Sequence, residues 1–380
     1  MINLNNVWFE LISKIKLAIT EIKELDTILT EISKRSDLTG TQKRQLVTNA
    51  YDTAGRYGRT ANDYLSGVQQ MNRAGFYGKK GSGMAEQSLL AQSAGGISPE
   101  LADQYVLATN NAYRYNGETE KINAVLDGQN NITIKNNIAL ADMAAAMIEA
   151  GEAASGYKVE IEDLSAMIGT MESVTKLGGN EVGTAAKDIL TNLQNNTSGN
   201  IADTLNKAKA PMSEKVNGMD RLRDPVSILR DLANTYNQLG AGDPLRTEIL
   251  TNIGSEFHAD KLAALLQNMD LYDKMLVDYS EGNGSALEQA NQSAETLTGT
   301  IHQLSNSWTE FVSSIVDSDG LKSGVSLLNG LVEGLTDVAN AFGTINSMFG
   351  NLSGIGGTLG AISGLLMNKK GIGERTMFQW

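Results

Sequence analysis

At 380 residues the chain is long enough for two or three domains, and a hydrophobic content of 41% permits a sizeable core. With no cysteine there can be no disulfide, thiolate metal site or cysteine nucleophile. The net charge is −13, but residues 1–80 carry 12 Lys/Arg against 8 Asp/Glu while the remainder carries 19 against 36. An acidic body of this kind opposes sequence-independent binding to phosphate backbones, so no specific nucleic-acid partner is expected.

The first predicted element is a helix over residues 2–35. Ile12, Ile15, Ile19, Ile22, Leu25, Leu29 and Ile32 recur at spacings of three and four, opposite a charged face. This stripe has two readings: packing inside its own domain, or self-association of several copies into a bundle. The 3-3 step across Ile19, Ile22 and Leu25 departs from a strict heptad. Thr41 is read as the cap of a second helix running to about Met71. Gly75, Gly78, Gly81 and Gly83 then mark a loop or joint.

Further helices are expected over 84–94 and, from Ser98-Pro99, to Tyr113. Residues 116–135 read as polar, with Asp127-Gly128 as a turn signal. An Ala/Met-rich helix follows over 138–151, then one from Ile161 to about Leu177, and another over 181–193. Residues 200–218 give only weak strand or irregular signals around Pro211. Asp224-Pro225 and Asp243-Pro244 each cap and begin a helix, to about Leu239 and Ile253. Two more helices, 259–269 and 271–279, lead to a Gly282-Asn283-Gly284 hinge and a long helix over 285–316.

An amphipathic stretch, 321–342, precedes the last feature: from Val338 to Asn368 there is no charged residue. Gly356, Gly360 and Gly364 recur every fourth residue, and Gly350 and Gly354 form a second such pair. This spacing puts the glycines on one helical face, where two backbones can approach closely. The segment is long enough to span a bilayer, for which about 20 residues suffice. Asn346, Ser347, Asn351, Ser353 and Ser363 dilute its hydrophobicity. Membrane insertion as a bundle, self-packing and a flexible linker are the readings it leaves open.

The reading is therefore mainly α: a multi-helix, partly elongated chain with a long N-terminal helix and a glycine-rich hydrophobic C-terminal segment. Its divisions are 1–36, 37–200, 201–284, 285–337 and 338–370. The chemistry search is negative. His258 and His302 belong to no metal or triad pattern. Gly78-Lys79-Lys80-Gly81-Ser82 lacks the spacing of a phosphate loop and reads as a flexible basic turn. Asp317–Gly320 is too short for a calcium loop. Glu172-Ser173 resembles the acid of lysozyme-like transglycosylases but lies mid-helix with no glycine-rich catalytic loop downstream. Trp308, beside Leu304, Phe311 and Ile315, is a packing anchor or an interfacial one. No enzyme, cofactor or metal site is expected.

Several strings are similar to one family. They are Met143–Gly151 (MAAAMIEAG), Ile161–Gly169 (IEDLSAMIG), Val174–Thr184 (VTKLGGNEVGT) and Leu190–Gln194 (LTNLQ). Leu222–Ala233 (LRDPVSILRDLA), Ile249–Gly254 and Asp260–Leu266 continue the series. Their order, and above all Gly178-Gly179-Asn180-Glu181-Val182-Gly183, resembles phage tail tape measure proteins, with the TP901-like tape measures most alike. The resemblance covers roughly 40–340.

It implies a structural protein that fills the tail-tube lumen, sets tail length and is released to assist genome ejection. Implied partners are further copies of itself, the tail tube protein, tail assembly chaperones, tail-tip or baseplate proteins and, on ejection, the host membrane. Implied locations are the virion tail lumen, the host cytoplasm during assembly and the host membrane during ejection. Such tape measures are usually longer, so the chain is either a short member or a segment. A fully helical chain of this length would reach on the order of 570 Å. The competing reading is a membrane-active, pore-forming or toxin-like helical protein.

Overall fold

A computed structural model describes residues 4–195 and 199–296. The chain divides into two compact units, one over 24–307 and one made of 1–23 with 308–380. Of the second unit, only residues 4–23 are described. The described residues form fifteen helices and one two-stranded sheet, so the fold is mainly α.

The helices are α1 Leu4–Ser36, α2 Gly40–Arg56, α3 Ala61–Arg73, α4 Gly78–Gly95 and α5 Pro99–Ala112. Next come α6 Thr119–Asn136, α7 Leu140–Gly156, α8 Ile161–Thr175, α9 Gly179–Asn195 and α10 Asn200–Lys207. After the strands β1 Ser213–Val216 and β2 Met219–Leu222 follow α11 Pro225–Gln238, α12 Pro244–Ile253, α13 Ser255–Gln267, α14 Met269–Ser280 and α15 Ser285–Ala294.

Local chemistry sets most of these boundaries. The Ser98 hydroxyl accepts from Leu101 N–H, the Asp224 carboxylate from Val226 and Ser227, and Asp243 from Leu245, each ahead of a proline at the helix start. The helix expected over 41–71 is instead two. Thr39, not Thr41, caps α2 in a reciprocal box with Gln42. Thr60 and Asp63 form a second box that starts α3, after Gly58 turns the chain at φ 61°. Thr60 and Asp63 stand three residues apart, the spacing that such a box needs.

Two expected loops are helical. The basic glycine turn at 78–82 is the first turn of α4, and Lys80 Nζ donates to the Asn116 carbonyl at 2.8 Å. Asp127-Gly128 lies inside α6, not at a turn. A lone glycine costs a helix about 1 kcal/mol relative to alanine, so packing must favour it here. The weak 200–218 region contains α10 and the start of a hairpin. Asn217 and Gly218, at φ 51° and 82°, make the two-residue turn between β1 and β2.

The core of the 24–307 unit centres on α8, where every residue from Leu164 to Glu172 is buried. Helices α6, α7, α9, α13 and α14 pack around it. The chain then returns on itself: α14 lies on α8 and α6, and α15 on α4 and α6. The long helix expected over 285–316 instead ends at Ala294, where Glu295 is its C-cap; residues past Thr296, including 321–342 and the glycine segment, lie outside the described residues. Among the described residues no helix is long and apolar enough to cross a membrane.

Candidate functional site

The Gly178–Gly183 element is where α9 meets α7. A Cβ on Gly179 would lie 1.9 Å from the Asp142 carbonyl oxygen, and one on Gly183 would lie 2.6 Å from Ala146 Cα. Neither space exists for a side chain, so the two glycines let the helix backbones touch along their small faces. The alanines of α7 serve the same end: Ala146 and Ala150 are fully buried. Val182, between the two glycines, is also fully buried.

The polar members of the element fix its register. Gly179 N–H donates to Asp142 Oδ1 at 3.0 Å, so α7 supplies a carboxylate cap to the first turn of α9. Glu181 Oε1 lies 2.6 Å from Nζ of Lys261 on α13. The Lys261 side chain is only 5% exposed, and Asp260 provides a second carboxylate at 3.2 Å. Gly178 and Asn180 are exposed. The element is thus a three-helix junction of α7, α9 and α13.

Glu172 lies in the last turn of α8, and its side chain is buried. Neither carboxylate oxygen has a hydrogen-bond partner among the described residues. Burial, with a smaller contribution from Asp142, pushes its carboxyl up to about 9. At neutral pH the group is a neutral acid enclosed by helices. Enclosure also removes the access that a transglycosylase acid needs for its sugar.

A second polar junction closes the unit. Asp127, buried in α6, accepts from Gly284 N–H and Ala286 N–H, each at 3.0 Å, and from Asn123 at 2.9 Å. It therefore caps α15 from a residue far away in sequence. Gly128 exists because the Tyr279 ring lies on it, 2.6 Å from where a Cβ would stand. Asn130 donates to Ser285 Oγ at 2.8 Å, and Asn136 to Asp278 Oδ2 at 2.9 Å. Asp278 is buried too; burial alone would raise its carboxyl, but hydrogen bonds from Lys274, Asn136 and Lys135 outweigh that and hold it below the usual range. The polarity of 116–135, which resembled a loop, is a hydrogen-bonding face for the returning chain.

The remaining sequence candidates separate. Ile22, Leu25, Leu29 and Ile32 are buried, and the last three belong to the hydrophobic core of the chain itself. The side chains of Ile12, Ile15 and Ile19 lie outside the described residues, as do Gly350, Gly354, Gly356, Gly360, Gly364, His302 and Trp308. His258 is buried, with Nε2 3.1 Å from Asp188 Oδ2. Among the described residues no cluster of His, Asp and Glu could hold a metal ion. Asp127, Asp142, Glu172 and Lys261 carry no local signature that sets them apart from surface charges.

Among the described residues the distinctive groups of this mainly helical fold are packing and capping groups. The family model of phage-related minor tail proteins matches residues 48–255, just over half of the chain. The chain belongs to the phage-related minor tail protein family. The matched region contains the Gly178–Gly183 junction, α8 and the β1–β2 hairpin. No solved structure matches the chain.

Proposed function

We propose that this protein is a tail tape measure: it occupies the lumen of the tail tube, and its length sets the length of the tail. The observation that carries the reading is the family match over 48–255, the same stretch that holds most of the tape-measure-like strings. A virion tail location and interaction with other tail components follow from that family. The tube protein, assembly chaperones, tail-tip proteins and further copies of the chain are the partners this role requires. The role needs length and no catalysis, and a tail family speaks against a free-standing toxin.

In this reading the compact 24–307 unit belongs to the free chain, and the helices string out along the tube during assembly. The 338–370 segment, free of charge as far as Asn368, travels hidden in the tube and meets the host membrane on ejection. An in-frame deletion of 138–194 tests the ruler. Electron microscopy of the resulting particles should show tails shortened in proportion to the residues removed. Tails of unchanged length would overturn the role.

A further inference from the structure

The β1–β2 hairpin presents all of its strand residues to solvent, with Met219 71% and Val216 36% exposed. Its ladder fixes which backbone groups face outward. Arg223 N–H donates to the Met212 carbonyl at 2.8 Å, in register with the pairs Ser213–Leu222, Glu214–Arg221, Lys215–Asp220 and Val216–Met219. Antiparallel ladders alternate hydrogen-bonded and non-hydrogen-bonded pairs. Glu214–Arg221 and Val216–Met219 are therefore bonded to each other. The N–H and C=O groups of Ser213 and Lys215 point to the outer edge of β1, and those of Asp220 and Leu222 to the outer edge of β2. Among the described residues no third strand pairs with either edge.

These outward groups restrict how another strand can add in antiparallel fashion. If β2 met β2 of a second copy, the registers of greatest overlap would centre on Arg221 or Asp220 and set each against itself. If β1 met β1, Glu214 or Lys215 would face itself in the same way. Like charges directly opposite destabilise a sheet. The mixed edge has no such fault. When β1 meets β2 of a second copy, the register of full overlap repeats that of the hairpin. Glu214 then faces Arg221, Lys215 faces Asp220 and Val216 faces Met219. Opposite charges alternate across the sheet, and an apolar row of Val216 and Met219 continues along one face.

We infer that the 213–222 hairpin joins copies of this chain head to tail, β1 of one copy adding to β2 of the next. The contact is heterologous, so it closes into a ring or propagates along an axis. Strands of four residues are short. Each contact is therefore weak alone and takes effect where copies are already held close together. The like-charge registers disfavour a well-overlapped two-fold pair. The inference stands on the hairpin's own ladder and does not depend on the length-setting role.

The chain has no cysteine, so a single introduced thiol reports one contact. Across the proposed contact Val216 and Met219 become a non-hydrogen-bonded pair, close enough for a disulfide. Full-length Val216→Cys and Met219→Cys chains are mixed and oxidised. The mixture should cross-link to several-fold the level that either variant gives alone. Adding Arg221→Glu to the Met219→Cys chain should lower that yield several-fold. Equal cross-linking in the separate variants would overturn the inference. So would no excess in the mixture while circular dichroism shows both chains folded, or pairing of the hairpin with a different tail protein only.

Discussion

The two polar junctions of the 24–307 unit bury carboxyl groups to opposite effect. Where α14 and α15 return onto α6, Asp127 receives three hydrogen bonds and Asp278 is held ionised by two lysines and an asparagine. Near the α7–α9 contact, in the last turn of α8 and within reach of Asp142, Glu172 receives none and is held neutral by burial. The first fastens distant parts of the chain together. The second lets bare backbones meet through Gly179 and Gly183 and leaves an uncompensated acid beside that contact. A buried acid stabilises a fold only when donors replace its lost water.

The comparison can be broken most forcefully at the glycines. Gly183→Leu has no room against Ala146, so α9 must separate from α7. Urea denaturation should show a loss of about 3 kcal/mol or more. Asp127→Ala should cost about 2 kcal/mol, because it leaves the Gly284 and Ala286 N–H groups unpaired. Hydrogen exchange should accelerate at those two amides first, ahead of α8.

Glu172→Gln tests the other side and has the opposite sign. A carboxyl whose folded pKa is raised favours folding fully below its unfolded value near 4.5. That contribution is lost as pH climbs toward about 9. The glutamine variant should therefore match the wild type near pH 4 and exceed it increasingly as pH rises, by up to about 5 kcal/mol at pH 8. Equal stability of the two proteins across that range would mean that Glu172 is hydrated or paired in solution.

Much of the fold is legible along the chain because it rests on local chemistry. The caps at Ser98, Asp224 and Asp243 need only a few consecutive residues, and each starts its helix as the sequence implies. The helix expected from Ile161 forms as α8, but its place at the centre of the unit is visible only in the structure. The Gly178–Gly183 element is visible as a family string, but its physical task is not, since nothing in the string names Asp142 or Ala146 as the neighbours. Asp127-Gly128 misleads for the same reason: the pair has the composition of a turn, and only the returning chain gives it a helical use.

Residue order is enough to give the helical class, the capped starts, the absence of thiol chemistry and the resemblance to tail proteins. These depend on interactions within one turn of helix or on residue order. The tertiary structure alone decided which glycines are hinges and which are contacts, and which acids are solvated, capped or starved of partners. A glycine or a carboxylate reads alike in every setting until a distant backbone arrives beside it. Close approach and desolvation are properties of pairs of segments, and no single segment contains them.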